Sequence, residues 1–335
     1  EIVFRKAELL SVLESFSDVR VAVVGDLIAD IYVTARTERI SREAPVLVLR
    51  HQHEELMPGG AGNVIMNMVR LGARPKVVGW VGDDAPGRGL RAAFGAWDLD
   101  CAALVTEPAR PTPTKTRILA GDVNVMPRQV VRLDRGGEEA LSPSVRTALL
   151  ATVTQLLRQP HSSLVISDYG AQTIDPDVLA AIRQRPMEGP RVLVDSRFSL
   201  DDFHGVDVVL PNEPEARALV GHSIGERPLA ETAEEMFRRI GAEHVILTLG
   251  NQGLSVFERD RVLCHLAVSG SDEVVDTTGA GDTVTAVVTL AMGAAAAPQQ
   301  AAFLANLAAG ITVSRPRNEC ASLADLRRAV DALEA

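Results

Sequence analysis

The sequence predicts an α/β fold in which a mostly parallel sheet carries helices on both faces and a small second β-sheet is inserted as a lid. Three observations lead to this prediction: short apolar runs rich in β-branched residues recur along the chain, longer helix-like stretches lie between them, and two extended segments interrupt the alternation. Continuous apolar runs suit strands that are buried on both faces. Alternation of strands and helices favours a parallel sheet with helices on either side.

Six apolar runs are predicted as strands of the main sheet, and Gly, Asp or Asn follows each of them closely: residues 21–24, 76–81, 164–167, 191–194, 206–210 and 245–249. The main stretches between them are predicted as helices: residues 62–71, 142–157, 177–185, 213–220 and 230–240. Binding sites in parallel sheets lie outside the carboxyl ends of the strands. The polar residues that close the strands are therefore the first candidates for function.

The two extended segments are residues 31–53 and 112–133, and neither is followed directly by a helix. We expect them to form a small antiparallel sheet that covers a site as a lid, with ordinary surface hairpins as the alternative. This division predicts an α/β body made of three pieces, residues 1–30, 54–111 and 134–335. It also predicts a lid made of two, residues 31–53 and 112–133.

Composition narrows the classes of function. The chain has 335 residues, 46% of them hydrophobic and 23% charged, which is typical of a globular protein. No apolar run reaches the length of about 20 residues that a membrane span needs. The net charge of −10 argues against nucleic acid and anionic membranes as partners, whereas a small phosphorylated molecule needs only a few local donors. Three distant cysteines without a CxxC pair predict neither a disulfide framework nor a zinc site, and we expect a cytoplasmic protein.

Residues 276–283 read DTTGAGDT and precede an apolar stretch, 283–291, that is predicted to be a buried helix. The N–H groups of the first turn of such a helix point at one spot, with the positive end of the helix dipole behind them. The carboxylate of Asp282 would repel a static anion, but it can take a proton from a nucleophile beside developing negative charge. This combination indicates phosphoryl transfer; an ordinary helix start with Asp in its first turn is the alternative.

The same stretch resembles the carboxyl-terminal signature of the ribokinase-like, or PfkB, carbohydrate kinases. Their amino-terminal glycine signature is matched by GGAGN at 59–63, LGA at 71–73 and VGWVGDD at 78–84. The resemblance extends from Val21 to Ile311. It implies a ribokinase-like fold and an ATP-dependent sugar kinase.

Within that family the chain most resembles the kinases of D-glycero-D-manno-heptose 7-phosphate, which act on the anomeric hydroxyl. The segments that carry this resemblance are GDL at 25–27 with Asp30 and Tyr32, RISREAPV at 39–46, EE at 54–55, PTKTR at 113–117 and SDYG at 167–170. The resemblance implies a sugar phosphate as acceptor, ATP and Mg²⁺ as cofactors, and a place in the bacterial ADP-heptose route to the lipopolysaccharide core. It also implies a homodimer that pairs through the lid, whose strand edges would otherwise be exposed.

The resemblance assigns the catalytic residues. Asp282 would be the general base, and the amides of Gly279, Ala280 and Gly281 would form the anion hole. Asn212 and Glu215 match an NxxE motif whose members organise Mg²⁺, largely through water. Without the resemblance, Asn-x-x-Glu before a helix is a capping pattern.

The resemblance also assigns different residues to the two substrates, the nucleotide and the acceptor sugar. On the nucleotide side the candidates are Thr248, Gly250, Gly253 and Asn306, with a structural β-turn as the alternative for the glycines and a backbone partner as the alternative for Asn306. On the acceptor side the candidates for sugar hydroxyls and close backbone approach are Asp30, Asn63, Gly59 and Gly60. Lys115 and Arg117 alternate along one strand and would clamp a phosphate that the acceptor already carries, with a solvated basic face as the alternative.

Three departures limit the resemblance. Ala171 and Gln172 follow Gly170 where heptose-phosphate kinases place a lysine, and Arg197 stands where a lysine is common after Asp195. Residues 313–318 replace a glycine–threonine turn that helps to hold a monovalent cation, which leaves potassium activation open.

We also expect the chain to lack the adenylyl-transferring step of bifunctional relatives. The remaining alternatives are a kinase for an unphosphorylated sugar or nucleoside, and a catalytically idle binding protein of the same fold.

Overall fold

The structure, a computed structural model, describes residues 4–121, 127–160, 162–259, 261–269, 275–315 and 319–333. The strands in these ranges are β1 (Val21–Gly25), β2 (Leu27–Ile40), β3 (Leu47–Gly60), β4 (Lys76–Gly82), β5 (Ala103–Glu107), β6 (Thr114–Gly121), β7 (Arg128–Arg135), β8 (Ser163–Asp168), β9 (Arg191–Ser196), β10 (Val208–Val209), β11 (His244–Thr248), β12 (Leu254–Glu258) and β13 (Arg261–Leu266). The α-helices are α1 (Lys6–Glu14), α2 (Ala61–Arg70), α3 (Ala85–Ala96), α4 (Pro143–Leu156), α5 (Pro176–Arg183), α6 (Glu213–Val220), α7 (Leu229–Ile240), α8 (Ala280–Gly293), α9 (Pro298–Val313) and α10 (Leu323–Asp331).

The large sheet contains nine strands in the order β13-β12-β11-β10-β9-β8-β1-β4-β5. Strands β5, β4, β1, β8, β9, β10 and β11 are parallel to their neighbours, and β12 and β13 add an antiparallel edge. The predicted α/β class and all six predicted strands are confirmed. The run at 206–210 forms only the short strand β10, because Pro211 has no N–H with which to continue the ladder.

Each face of the large sheet carries its own apolar core. Neighbouring residues of a strand point to opposite faces. In β1, Val23 therefore packs in a cluster with α1, α2, α3, α8, α9 and α10, whereas Val24 packs in a cluster with α4, α5, α6 and α7. The predicted placement of helices on both faces is confirmed. Among the described residues, no helix combines the length and the apolar character needed to cross a membrane.

The second sheet has four strands in the order β3-β2-β6-β7. Strands β2 and β3 form one antiparallel hairpin and β6 and β7 form another, but β2 and β6 pair in parallel. The expectation of a purely antiparallel sheet was therefore wrong. Both inner strands leave the carboxyl edge of the large sheet in the same direction, so each return strand must lie on the outside.

Polar contacts anchor the second sheet to the body. The chain enters β2 two residues after β1 ends, and it enters β6 just after Thr112. The N–H and hydroxyl of Thr112 both donate to the carboxylate of Asp84, and the N–H of Gly82 donates to the Thr112 hydroxyl. The paired strands β2 and β3 begin at Leu27 and end at Gly60, so this sheet starts within the part of the chain that we assigned to the body.

Candidate active site

Asp282 lies in the first turn of α8, and only 8% of the residue is exposed. The side-chain amide of Asn63 donates to Asp282 Oδ2 at 2.5 Å, and the hydroxyl of Tyr169 donates to Asp282 Oδ1 at 2.7 Å. Burial raises the pKa of Asp282, and these two hydrogen bonds act in the opposite direction. The carboxylate is therefore fixed in orientation and is more basic than an exposed aspartate.

The helix start beside Asp282 is built for close approach. Gly279 caps the helix with φ 80°, a left-handed conformation that glycine adopts at little cost. Gly281 is exposed, and a Cβ added there would meet nothing within 4 Å. The N–H of Ala280 makes a long contact of 3.4 Å with the Thr277 carbonyl. The first-turn amides of a helix lack intrahelical partners, and the space beside Gly281 is open, which is compatible with an anion hole.

The acceptor-side candidates meet at the base of the second sheet. Arg117 Nη1 donates to Asp30 Oδ1 at 2.6 Å, and both side chains are largely buried. A Cβ on Gly59 would lie 2.4 Å from Asp30 Oδ2, so a side chain there would displace the carboxylate. Lys115 Nζ lies 5.2 Å from the centre of the Tyr169 ring, and burial lowers the pKa of Lys115. The acceptor-side candidates thus share one surface with Tyr169, which donates a hydrogen bond to Asp282: they are Asp30, Gly59, Lys115 and Arg117.

Asn63, which the sequence analysis assigned to sugar hydroxyls, contacts the proposed base in the structure. It lies on the first turn of α2, just after Gly60, and its amide nitrogen is used by Asp282. Its carbonyl groups accept from Asn67 Nδ2, and Asn67 Oδ1 accepts from the Thr283 hydroxyl. This chain of hydrogen bonds fixes α2 against the start of α8.

Two of the nucleotide-side candidates lie side by side. Asn212 forms an isolated parallel bridge with Thr248 at the end of β11. Asn212 also forms a capping box with Glu215 at the start of α6, in which both carboxylate oxygens of Glu215 accept from Asn212. Burial raises the pKa of Glu215. The capping interpretation of Asn-x-x-Glu therefore holds, and the same side chains face the acidic cluster described below.

The remaining nucleotide-side candidates differ in exposure. Gly250 is exposed and has open space around it. Gly253 is buried, and a Cβ there would lie 2.0 Å from the Leu266 carbonyl oxygen, so this glycine serves the turn into β12. Asn306 Nδ2 donates to the Ala267 carbonyl at 2.6 Å and to the Ser269 hydroxyl at 3.0 Å. The donor hydrogens of Asn306 are thus used by the segment after β13, as the backbone alternative anticipated.

Sequence reasoning assigned no site role to Asp195, the second-last residue of β9, which lies close to Asp282 and Glu215. Its Oδ2 accepts from the Thr285 hydroxyl of α8 at 3.0 Å. Burial, followed by the charges of Asp282 and Glu215, raises the pKa of Asp195 to about 8. The carboxyl groups of Asp195, Asp282 and Glu215 are therefore close enough to influence one another's ionisation. Its position at a strand end was the signal that could have identified Asp195.

Tyr169 and Arg197 were also left without assigned site roles. The Arg197 guanidinium carbon lies 4.5 Å from the centre of the Tyr169 ring, within the range of a cation–π contact. Burial raises the pKa of Tyr169 well above its usual value, so the hydroxyl keeps its proton and acts as a donor to Asp282. Asp26 is fully buried and accepts from the N–H groups of Tyr169, Ala171 and Thr173. Asp26 thus fixes the loop that presents Tyr169.

A small cavity of about 80 Å³ is lined in part by Arg197 and Glu215, and a larger one lies away from this cluster. The larger cavity, of about 260 Å³, is lined by residues at the amino ends of β1, β4 and β8. Its cations already have partners, since Arg74 pairs with Asp98 and Lys76 pairs with Asp100. Asp282 lies at the opposite, carboxyl edge of the sheet, which is the edge where parallel sheets bind ligands.

Comparisons with known proteins agree with this geometry. Residues 19–320 match the pfkB family of carbohydrate kinases. The chain is 34% identical over 310 residues to the bifunctional protein HldE of Paramagnetospirillum magneticum, covering 92% of this chain and 62% of that protein. It is 35% identical over 327 residues to the protein of the same name from Pelobacter propionicus, covering 96% of this chain and 65% of that protein. The chain thus spans less than two thirds of the length of these relatives.

Solved structures show the same fold. Phosphofructokinase-2 from Escherichia coli, in complex with substrates and products, has a TM-score of 0.73 at 20% identity, over 93% of this chain and 99% of that one. Ribokinase from Arabidopsis thaliana, complexed with ribose and ATP, has a TM-score of 0.69 at 20% identity, over 93% of this chain and 97% of that one. The ribokinase-like fold is confirmed. The family match covers most of the chain, and this protein therefore belongs to the pfkB family of carbohydrate kinases.

Proposed function

We propose that the protein transfers the γ-phosphoryl group of ATP to a hydroxyl of a sugar phosphate. The acceptor that the resemblance favours is a heptose 7-phosphate, phosphorylated at its anomeric hydroxyl. The observation that carries the proposal is the buried carboxylate of Asp282, held by Asn63 and Tyr169 at the start of α8 and beside the acceptor-side cations.

In the proposed step, Asp282 takes the proton of the acceptor hydroxyl. The hydroxyl oxygen forms a bond to the γ-phosphorus, and the bond from that phosphorus to the β-phosphate oxygen breaks, so that ADP leaves. The amides of Gly279, Ala280 and Gly281 donate to the oxygens of the transferring group as negative charge shifts across it. The raised pKa of Asp282 makes the carboxylate a stronger base for this proton.

On the acceptor side, the carboxylate of Asp30 and the amide of Asn63 would orient sugar hydroxyls, and Gly59 and Gly60 would let the backbone approach the ring. Lys115 would bind the phosphate that the sugar already carries. Its ammonium group is half-buried beside Tyr169, and that location shields an ion pair with phosphate from solvent.

The nucleotide would lie along the ends of β10 and β11. Thr248 and the exposed Gly250 would contact its phosphates, and the segment that Asn306 holds would border the base. Asn306 acts there by fixing residues 267–269. Gly253 supports the turn without touching the ligand.

The oxygen ligands near the triphosphate fit Mg²⁺ held through water. Within the described ranges, no group of three or more acidic, His or Cys side chains is close enough to hold a metal ion by itself. Both oxygens of Glu215 already accept from Asn212, and this arrangement suits hydrated Mg²⁺, which keeps several of its waters. When bound, Mg²⁺ would neutralise charge on the phosphates. Potassium stays a prediction, because residues 316–318 of the altered turn lie outside the described residues.

One observation favours an alternative acceptor. Arg117 is already neutralised by Asp30 at 2.6 Å, so this pair could bind the hydroxyls of an unphosphorylated sugar or nucleoside without a phosphate. In that case Lys115 would be the cation on the second sheet that remains free for a phosphate. A catalytically idle binding protein is less well supported, because a sensor has no use for a buried base fixed by two donors.

The lid of 31–53 and 112–133 would pair with the lid of a second copy. Ile40, Leu47, Val131 and Leu133 are large apolar residues on its strands, and at least half of each is exposed. Strands β3 and β7 are the edges of this sheet, and pairing two lids would cover such edges. We propose a cytoplasmic homodimer with small-molecule substrates.

The test of the function is an acceptor panel. The purified protein is incubated with ATP, Mg²⁺ and one acceptor at a time: D-glycero-D-manno-heptose 7-phosphate, fructose 6-phosphate, free hexoses or nucleosides. Consumption of ATP that requires the acceptor supports a kinase, and ³¹P NMR of the product identifies the phosphorylated hydroxyl. Thermal shifts without turnover for every acceptor would contradict the proposal and favour a binding protein.

A further inference from the structure

The side chain of Arg197 lies beside the proposed base without an ion-pair partner among the described residues. It follows the carboxyl end of β9, is exposed, and stacks on the ring of Tyr169 at 4.5 Å. Among the residues that the structure describes, none forms a hydrogen bond or an ion pair with its guanidinium group. Every N–H of that group is thus available to a ligand, while the stacking limits where the group can move.

The charges around Arg197 indicate which ligand it serves. The positive charge of Arg197 acts on Asp195, Glu215 and Asp282, and in each case it opposes the rise in pKa that burial causes. All three carboxyl groups are thus close enough to Arg197 to be influenced by its charge, and one of them, Asp282, is the proposed base. Arg117 differs from Arg197, because its guanidinium group forms an ion pair with Asp30.

We infer that Arg197 binds the transferring phosphoryl group and stabilises the charge that develops on it; this inference rests on the proposed kinase function. Asp282 must be ionised to act as the base, and its carboxylate then repels a phosphoryl group that lies beside it. A guanidinium group can donate two parallel hydrogen bonds to two phosphoryl oxygens and offset that repulsion. Arg197 gains and loses no proton in the step: the proton goes to Asp282 and the leaving group is ADP.

Tyr169 determines where Arg197 lies relative to the proposed base, Asp282. One residue contacts both the base, through its hydroxyl, and the cation, through its ring. The distance between proton acceptor and phosphoryl-binding cation is therefore set by a single rigid side chain. A flexible lysine could supply the charge but not the flat surface that stacks on the ring.

The experiment compares Arg197→Ala, Arg197→Lys and Arg197→Met with the unchanged protein, using the best acceptor of the panel and saturating ATP and Mg²⁺. Arg74→Ala is the matched control, because Arg74 is an exposed arginine paired with Asp98 near the opposite edge of the large sheet. We expect kcat to fall by about 10²-fold to 10³-fold in Arg197→Ala and Arg197→Met, with smaller changes in both KM values. Arg197→Lys should retain an intermediate kcat, and Arg74→Ala should retain full activity.

Addition of guanidinium ion separates a catalytic role from a structural one. At about 50 mM, a concentration well below those that unfold most proteins, it should restore part of the kcat of Arg197→Ala and none of that of Asp282→Asn. Arg197→Met keeps an apolar stem over Tyr169 and stands in if Arg197→Ala fails to fold. An unchanged kcat in both variants, a loss confined to the KM of a phosphorylated acceptor, or a loss that guanidinium does not restore would overturn the inference. Absence of turnover in the unchanged protein with every acceptor would overturn the proposed function instead.

Discussion

Tyr169 donates its hydroxyl hydrogen to Asp282 Oδ1 across 2.7 Å, although 113 positions of the sequence separate the two residues. Asn63 holds the other oxygen of the same carboxylate. The proposed base is thus positioned by one residue that follows β8 of the large sheet and by one on α2, which follows β3 of the second sheet. Removal of the base, or of one of its donors, should have separable effects.

Replacing the base should abolish most of the turnover while leaving the fold intact. In Asp282→Asn the amide cannot accept the proton of the acceptor hydroxyl, and we expect kcat to fall by about 10²-fold to 10⁴-fold. Burial already disfavours the charged carboxylate, so the unfolding temperature should not decrease. Steady-state kinetics and thermal unfolding measure the two quantities. The control is Asp98→Asn, an exposed aspartate far from the site; equal activity of Asp282→Asn and the unchanged protein would remove Asp282 from its role.

Removing the hydroxyl of Tyr169 should shift the pH profile of the reaction. The Tyr169 hydrogen bond lowers the pKa of Asp282, so that pKa should rise further in Tyr169→Phe. The base must be ionised to act, and the acidic limb of kcat/KM should therefore move to higher pH. The phenylalanine keeps the ring on which Arg197 stacks, which makes the variant its own packing control. A profile that falls at the same pH as before would show that the hydrogen bond does not tune the base.

Replacing Asp195 should change how stability depends on pH. The pKa of this carboxyl group is raised from 3.8 to about 8 in the folded state. Between these values the folded protein keeps a proton that the unfolded chain releases, so this group's contribution to stability decreases as pH rises and is lost above the folded pKa. Asp195→Asn has no such proton. We expect the variant and the unchanged protein to unfold at similar urea concentrations near pH 4, and the variant to be increasingly more stable up to pH 8.

The control for that measurement is Asp98→Asn, whose carboxylate is 89% exposed and should not alter the pH dependence. The urea midpoints are compared in metal-free buffer, since a bound cation would favour the charged carboxylate. A constant difference between Asp195→Asn and the unchanged protein at all pH values would contradict the assigned proton.

Lys115 should distinguish acceptors that carry a phosphate from those that do not. In Lys115→Met we expect the KM of a sugar phosphate to rise by about 10-fold or more, because a charge-assisted contact with the phosphate is lost. The KM of an unphosphorylated sugar should hardly change. Arg117 is the poorer probe, since its removal leaves the buried carboxylate of Asp30 without its partner. Equal effects of Lys115→Met on both kinds of acceptor would argue against a phosphate clamp.

Charges placed on the lid should separate the proposed dimer. Ile40 and Leu47 are opposite each other on β2 and β3, and 66% and 50% of these residues are exposed. Ile40→Glu with Leu47→Glu should convert the dimer to a monomer in sedimentation, because like charges would meet across the two-fold axis. Val262→Glu on β13 is the control, since it adds the same charge to an exposed apolar site at the edge of the large sheet. A monomer before any substitution would refute lid pairing.

The strands that the sequence predicted share one property: their apolar runs are continuous because both faces are buried. Strand β13 escaped prediction because half-exposed residues such as Val262 and polar His265 interrupt its pattern. Likewise, the parallel pairing of β2 with β6 depends on where both strands leave the large sheet. That relation is tertiary, and no alternation of side chains within either strand encodes it.

The candidate site, too, was predicted only in part from the sequence. The resemblance proposed Asp282 and Asn63 from local motifs, but only the fold shows that the two side chains bond to each other. Arg197 was recognised as a charge at an unusual position, whereas its stacking on Tyr169 depends on how the ends of β8 and β9 are packed. Asp195 was overlooked because an aspartate that closes a strand is common. Its raised pKa arises from burial and from neighbours that are distant in sequence.

Strand β2 extends from Leu27, near the base, to Ile40 at the outer end of the second sheet, and its pairing with β3 shifts register after Thr34 and again after Thr37. Asp30 and Ile40 therefore belong to the same continuous strand, ten residues apart. If two copies meet at Ile40, a sugar that shifts Asp30 will alter the strength of their association, and association will alter affinity for the sugar by the same factor. Substrate binding and quaternary structure would then be coupled through a single strand.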